Sequence, residues 1–128
     1  MDTKEKQKEY LVISRGHWDQ DKSPEQIQEA IDKFYLWIEQ QINEGRMMAG
    51  QRLVNEGKVV QKQRITDGPY TETKEIIGGF WFILADSLDE AAQLASENPC
   101  LECGLFYEIR PIENELASAY NETSETPR

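Results

Sequence analysis

The sequence predicts an α+β fold, an antiparallel sheet with two helices on one face, and three observations carry the prediction. Two segments, one opening at Ser23-Pro24 and one at Ser87-Leu88, combine helical apolar spacing with N-terminal capping residues. Each lies between β-rich runs, so the chain divides into two successive β-α-β halves. Two of those runs, Tyr10–Ile13 and Phe80–Ala85, are mainly apolar on both faces, so the sheet calls for cover on both sides.

The first strand is Tyr10-Leu11-Val12-Ile13, closed by Ser14 and Arg15, with Tyr10, Val12 and Ser14 on one face and Leu11, Ile13 and Arg15 on the other. Gly16 to Lys22 is a polar loop that holds the single histidine, His17, and is a candidate wall of a pocket. Ser23-Pro24-Glu25-Gln26 then starts a helix: Ser23 is the N-cap, proline suits the first helical position, Glu25 suits the dipole and Gln26 completes a capping box. Ile27, Ile31, Phe34, Ile38 and Ile42 form its apolar stripe, and Gly45 ends it after roughly 30 Å at 1.5 Å per residue.

Arg46–Leu53 reads as a short strand in which Gly50 marks a bulge or a close backbone approach. Asn55-Glu56-Gly57 is a turn, and Lys58–Ile65 reads as one polar, cationic edge strand. Asp67-Gly68-Pro69 is turn chemistry, followed by a charged loop and the pair Gly78-Gly79 that opens the buried strand Phe80–Ala85. Ser87 and Glu90 cap the second helix, Leu88, Ala91, Ala92 and Ala95 give its apolar face, and Asn98-Pro99 stops it. The last strand alternates Leu105, Tyr107 and Ile109 with Phe106, Glu108 and Arg110, and Pro111 ends it. This order is that of a ferredoxin-like sandwich. With no third helix to cover the second sheet face, a second copy packed sheet to sheet is the expected cover.

At 128 residues, the chain has room for one core. The folded domain is expected over 9–112, after a charged extension at 1–8 and before an acidic tail at 113–128 that is expected to be disordered beyond Tyr120. Fourteen basic against 24 acidic residues give a net charge of -10, which opposes binding to nucleic acid or an anionic membrane. No apolar run approaches a membrane span and no signal region follows the N-terminus, so a soluble, cytoplasmic protein is expected. Cys100 and Cys103 have the spacing of a redox pair or half a zinc site. With one histidine and no second ligand pair they read as structural thiols, and neither metal nor other cofactor is expected.

The stretch Ile65-Thr66-Asp67-Gly68-Pro69-Tyr70-Thr71-Glu72-Thr73-Lys74-Glu75-Ile76-Ile77-Gly78-Gly79-Phe80 closely resembles the DGPF branch of the YCII-related proteins, with Tyr70 where phenylalanine is usual. Tyr10-Leu11-Val12, Asp86–Ala91 and Glu108–Pro111 extend the resemblance over residues 9 to 112. It implies a dimeric ferredoxin-like α+β barrel, with a cleft between sheet and loops, in small bacterial proteins of mostly unknown activity. Some relatives are encoded near, or fused to, extracytoplasmic-function sigma factors, which makes a sigma factor a partner by analogy. Members of the wider group proposed to be enzymes carry a histidine on the first helix and an aspartate at the end of the second. Here the first helix has no histidine, and Asn98 stands at the second place.

The candidate site drawn from the sequence centres on the same stretch. Asp67 is a candidate general base if burial raises its pKa, and otherwise caps its own turn. His17, the one side chain titrating near neutrality, is a second acid or base candidate beside a reading as a solvated loop residue. Arg15, Glu72, Lys74 and Glu75 are candidates for binding a small anionic or carbonyl substrate, and the charges of the loop equally suit pairing in solvent. Gly78 and Gly79 permit close approach of a ligand or another chain. No phosphate-cradling loop, nucleophile elbow or metal cluster is present in the sequence. Two functions are therefore expected in competition: a small-molecule binding protein or acid/base enzyme with a cleft near Asp67, and a non-catalytic module docking a transcription or stress partner.

Overall fold

The computed structural model describes residues 7–72 and 75–127. Six strands and two helices follow in the order β1 (Lys8–Arg15), α1 (Pro24–Asn43), β2 (Met47–Arg52), β3 (Gly57–Gln61), β4 (Arg64–Gly68), β5 (Ile77–Ala85), α2 (Leu88–Ala95) and β6 (Phe106–Pro111), with a 3-10 turn at Pro99–Cys103. The main sheet is antiparallel with strand order β2-β5-β1-β6, and β3 and β4 form a separate two-stranded hairpin. With that hairpin set aside, the order is that of a ferredoxin-like fold, with both helices on one face as the sequence predicts.

Alternation decides which face the helices take. Tyr10, Val12, Met47, Trp81, Ile83 and Ala85 are buried in one cluster with Ala91 and Ala95 of α2, and Phe34, Trp37 and Ile38 of α1 pack onto it. The small alanines let α2 approach the sheet closely. Leu11, Ile13, Phe80, Phe82 and Leu84 point to the opposite face and are only half-buried; the Phe80 and Phe82 rings meet edge to face at 6.0 Å there.

The helix ends follow their capping chemistry. Ser23 Oγ accepts from the Gln26 amide at 3.1 Å and Gln26 Oε1 accepts from the Ser23 amide at 2.8 Å, a complete capping box. Beyond Asn43 the backbone turns through Gly45, at φ +78°. At α2, Ser87 Oγ accepts from the Glu90 amide, while Glu90 Oε1 reaches the Asp86 amide at 3.2 Å, one residue further back than the predicted box. α2 ends at Ala95 with Ser96 as its C-cap, and Asn98 caps the 3-10 turn that follows, its Oδ1 accepting from the Cys100 amide at 2.8 Å.

The segment Lys58–Ile65 departs from the prediction: it is not one edge strand but a hairpin, with Val60 opposite Ile65 and Gln61 opposite Arg64. Lys62 and Gln63 make the turn without glycine, asparagine or aspartate, so composition gave no warning. Arg64 Nε donates to Gln61 Oε1 at 2.8 Å across it. As a consequence Asp67 lies in a strand, not in a turn. The bulge expected at Gly50 is present: the β2–β5 register shifts between Met48 and Gln51.

Candidate functional site

A cleft of about 920 Å³ opens between α1 and the β2 side of the sheet. One wall is the helix stripe of Ile31, Phe34, Ile38 and Ile42, whose three- and four-residue spacings put them on one face. The other is β2 at Ala49–Arg52 together with β5 at Gly79–Trp81. Glycines shape this wall. A Cβ on Gly50 would overlap the Phe80 carbonyl oxygen, and one on Gly79 would lie 2.8 Å from the Gln51 carbonyl oxygen and 3.2 Å from Arg52 Cα. Only without those side chains can β2 approach β5 as it does.

Trp18 closes one end of the cleft. Its loop is tied to the 3-10 turn by the Asp19 amide, which donates to the Cys103 carbonyl at 2.8 Å. Gly104, at φ +105°, lets Asp19 lie directly against the backbone there. The two thiols anchor the same turn to the helix: Cys100 Sγ faces the Ala30 carbonyl at 3.8 Å and Cys103 Sγ the Gln26 carbonyl at 4.0 Å.

A buried polar cluster borders the apolar walls. Tyr107 lies beside Cys100, Ser14 and Asn98, and all three act on its hydroxyl. Burial pushes the Cys100 thiol up to about 11; the hydrogen bond from Tyr107 opposes this, Cys103 adds to it, and the positive charge of Arg52 draws it back. Burial likewise raises the Tyr107 phenol above its ordinary value, and Cys100 adds to the effect. Both groups are therefore neutral at pH 7, able to donate a hydrogen bond but not to serve as a ready base. Asn98 Nδ2 and the indole Nε1 of Trp81, a residue that lines the cleft, are buried without a hydrogen-bond partner among the described residues.

The residues singled out from the sequence are spread more widely. Gly79 lines the cleft. Gly78 is the extra residue of a second bulge, between the pairs Ser14↔Gly79 and Arg15↔Ile77, with Ser14 Oγ 3.7 Å from where its Cβ would be. Arg15 points to the other face of the sheet, where Nε donates to Glu108 Oε1 at 2.7 Å. This bond and the charges of Arg15 and Arg110 hold the Glu108 carboxyl below its ordinary range. His17 is exposed in the loop after β1. Asp67 is exposed on β4 and takes an ion pair from Lys58 at 2.6 Å. Glu72 and Glu75 are exposed and joined through the backbone, the Glu75 amide donating to the Glu72 carbonyl; Lys74 lies outside the described residues.

The cleft gathers residues the sequence reading did not select as a site: Ser14, Arg52, Cys100 and Tyr107. A faint signal existed for Ser14, a hydroxyl on the same face of β1 as Tyr10 and Val12. Among the described residues no group of three or more His, Cys, Asp and Glu side chains is placed to hold a metal ion, and no helix is long and apolar enough to cross a membrane.

The sequence model of the YCII-related domain matches residues 8–114. No curated protein is significantly similar in sequence. Among solved structures, similarity extends to 5-chloro-2-hydroxyhydroquinone dehydrochlorinase from Burkholderia phenoliruptrix AC1100, in complex with 2,5-dihydroxybenzoquinone. The TM-score is 0.41 and the identity 18%, over 89% of this chain and 99% of that one.

Proposed function

The chain belongs to the YCII-related domain family, and from that premise we propose that it binds a small molecule in the cleft between α1 and the sheet. The observation that carries the reading is the cleft itself: about 920 Å³, within the ~300–1,000 Å³ of ligand sites, with apolar walls and a few convergent polar groups. Ser14, Tyr107 and Cys100 offer hydroxyl and thiol groups from a rigid sheet and turn. Trp81 adds aromatic surface to the wall of the cleft. The place at the end of α2 where proposed enzymes of the wider group carry an aspartate is taken by Asn98, an amide without a titrating proton and already engaged as a cap. The chemistry of these groups favours recognition over proton abstraction.

Two sets of variants separate this reading from a site in the Asp67 loop. Thermal stabilisation by ligands from a metabolite collection is measured for the wild type, for Phe34→Ala and Tyr107→Phe in the cleft, and for Asp67→Asn and Lys74→Ala in the loop. Loss of the ligand effect in the cleft variants alone supports the cleft. Loss in the loop variants with the cleft variants unaffected overturns it.

A homodimer fits the same arrangement. Leu11, Ile13, Phe80, Phe82 and Leu84 form a half-buried apolar face that neither helix covers, and a second copy would remove it from water. Sedimentation equilibrium giving a monomer mass at micromolar concentration would refute this assembly.

A further inference from the structure

We propose that the ligand of the cleft is an apolar carboxylate whose ring or chain lies against Phe34 and Trp81 and whose carboxylate is held by Arg52. The inference rests on the cleft being the binding site. Arg52 pairs with Gly79 across β2 and β5, and Gly79 has the alternation of Trp81 and Ile83, so Arg52 stands on the helix-facing side of the sheet, toward the cleft. Its positive charge is felt by Cys100 at the polar end of the cleft.

Partner accounting distinguishes Arg52 from the other arginines described. Arg15 and Arg110 bond Glu108, Arg46 bonds Glu44 and Gln41, and Arg64 bonds Gln61. Among the described residues Arg52 has no such partner, and Glu39, the acid bordering the cleft from α1, forms no ion pair with it. In a chain of net charge -10 the general field repels anions, so an anion must be recognised by a local cation. A guanidinium is the cation whose planar fork matches a carboxylate in two parallel hydrogen bonds. Aromatic and aliphatic walls beside that fork select an apolar body.

The test is calorimetric titration with 2-naphthoate and with its neutral analogue 2-naphthamide, on the wild type, Arg52→Gln and the control Arg46→Gln, each first shown to melt like the wild type. Arg52→Lys, which keeps charge and loses the fork, is included. The expected result is naphthoate binding about ten- to hundredfold tighter than naphthamide, the range of a charge-assisted hydrogen bond. Arg52→Gln should erase that preference while leaving naphthamide within about twofold, and Arg52→Lys should fall between. Equal affinity for the two probes, or a preference that survives Arg52→Gln, overturns the carboxylate inference while leaving the cleft as a site. Binding of neither probe up to millimolar concentration overturns it as well, and the ligand survey with the cleft variants then judges the cleft independently.

Discussion

Replacing Gly50 with alanine would drive a methyl group into the backbone of the central strand. The added Cβ would overlap the Phe80 carbonyl oxygen and stand 2.6 Å from Phe80 C and 2.7 Å from Trp81 Cα. Ordinary carbon contacts fall at about 3.5–4.0 Å, so β2 must retreat from β5 by about 1 Å. No side chain is there to rotate away. A retreat of that size takes hydrogen bonds from about 2.9 Å to beyond their useful range. Loss of two ladder bonds at about 1 kcal/mol each, with overpacking of about 1–3 kcal/mol, gives a destabilisation of about 3–5 kcal/mol. At about 4 °C per kcal/mol for a domain of this size, the melting temperature should fall by about 12 °C or more. Gly45→Ala is the matched control: its φ of +78° strains an alanine, but a Cβ there meets nothing within 4 Å, so a cost of only about 1–2 kcal/mol is expected. Urea unfolding followed by circular dichroism measures both. A Gly50→Ala variant within about 1 kcal/mol of wild type, or no worse than Gly45→Ala, would refute the account of β2 as a wall held in place by the absence of a side chain.

Ser23→Ala removes one half of the capping box and should lower stability by about 1 kcal/mol in the same urea assay, with no change in ligand binding. Cys100, with its thiol pushed up to about 11 and the side chain buried, should react with iodoacetamide at pH 8 at least about a hundredfold more slowly in the folded protein than in urea; mass spectrometry of the labelled peptide reads this out. Glu108 has a depressed carboxyl pKa when folded, so it contributes stability above the ordinary carboxylate value and loses that contribution as pH falls through the folded one. Glu108→Gln should therefore be less stable than wild type at pH 7, and the difference should close as the pH is taken below the usual carboxylate range, measured as urea midpoints.

Periodicity made the scaffold readable, because each element's signal is local. Ser23-Pro24-Glu25-Gln26 dictates a helix start whatever surrounds it, and Phe80–Ala85 is too apolar to lie anywhere but in the middle of the sheet. Gly50 could be recognised as a bulge because a glycine inside a strand pattern has few other reasons to be there. The hairpin was hidden because its turn, Lys62-Gln63, carries none of the residues that mark turns. The cleft was hidden for a different reason. Ser14, Arg52, Cys100 and Tyr107 come from two strands on opposite sides of β5, from a third beyond them and from a turn, and nothing in their spacing along the chain records that the strand order brings them together. Charged motifs attract attention in a sequence, whereas this cleft is made largely of isoleucine and aromatic side chains that read equally well as core.

The stretch from Thr66 to Gly79, the densest in charge and turn chemistry, serves two ends of the fold. Its first residues close β4, in a hairpin that among the described residues packs extensively on no other element and carries Val60 and Ile65 at 73% and 67% exposure. A two-stranded hairpin is at best marginally stable alone in water. Its apolar pair is thus held without cover from the other described residues, and the Lys58–Asp67 ion pair, exposed on both sides, adds little. Its last residues do the opposite. Gly78 supplies the bulge that re-registers β5 against β1 beside Ser14, and Gly79 admits Arg52 to the cleft face. The two glycines therefore set the geometry of the proposed site, although Asp67, Glu72 and Glu75 before them stand outside the cleft. Such a stretch is fixed by backbone geometry at one end and carries solvent-facing charge at the other, so its charges alone are a poor guide to where a ligand sits.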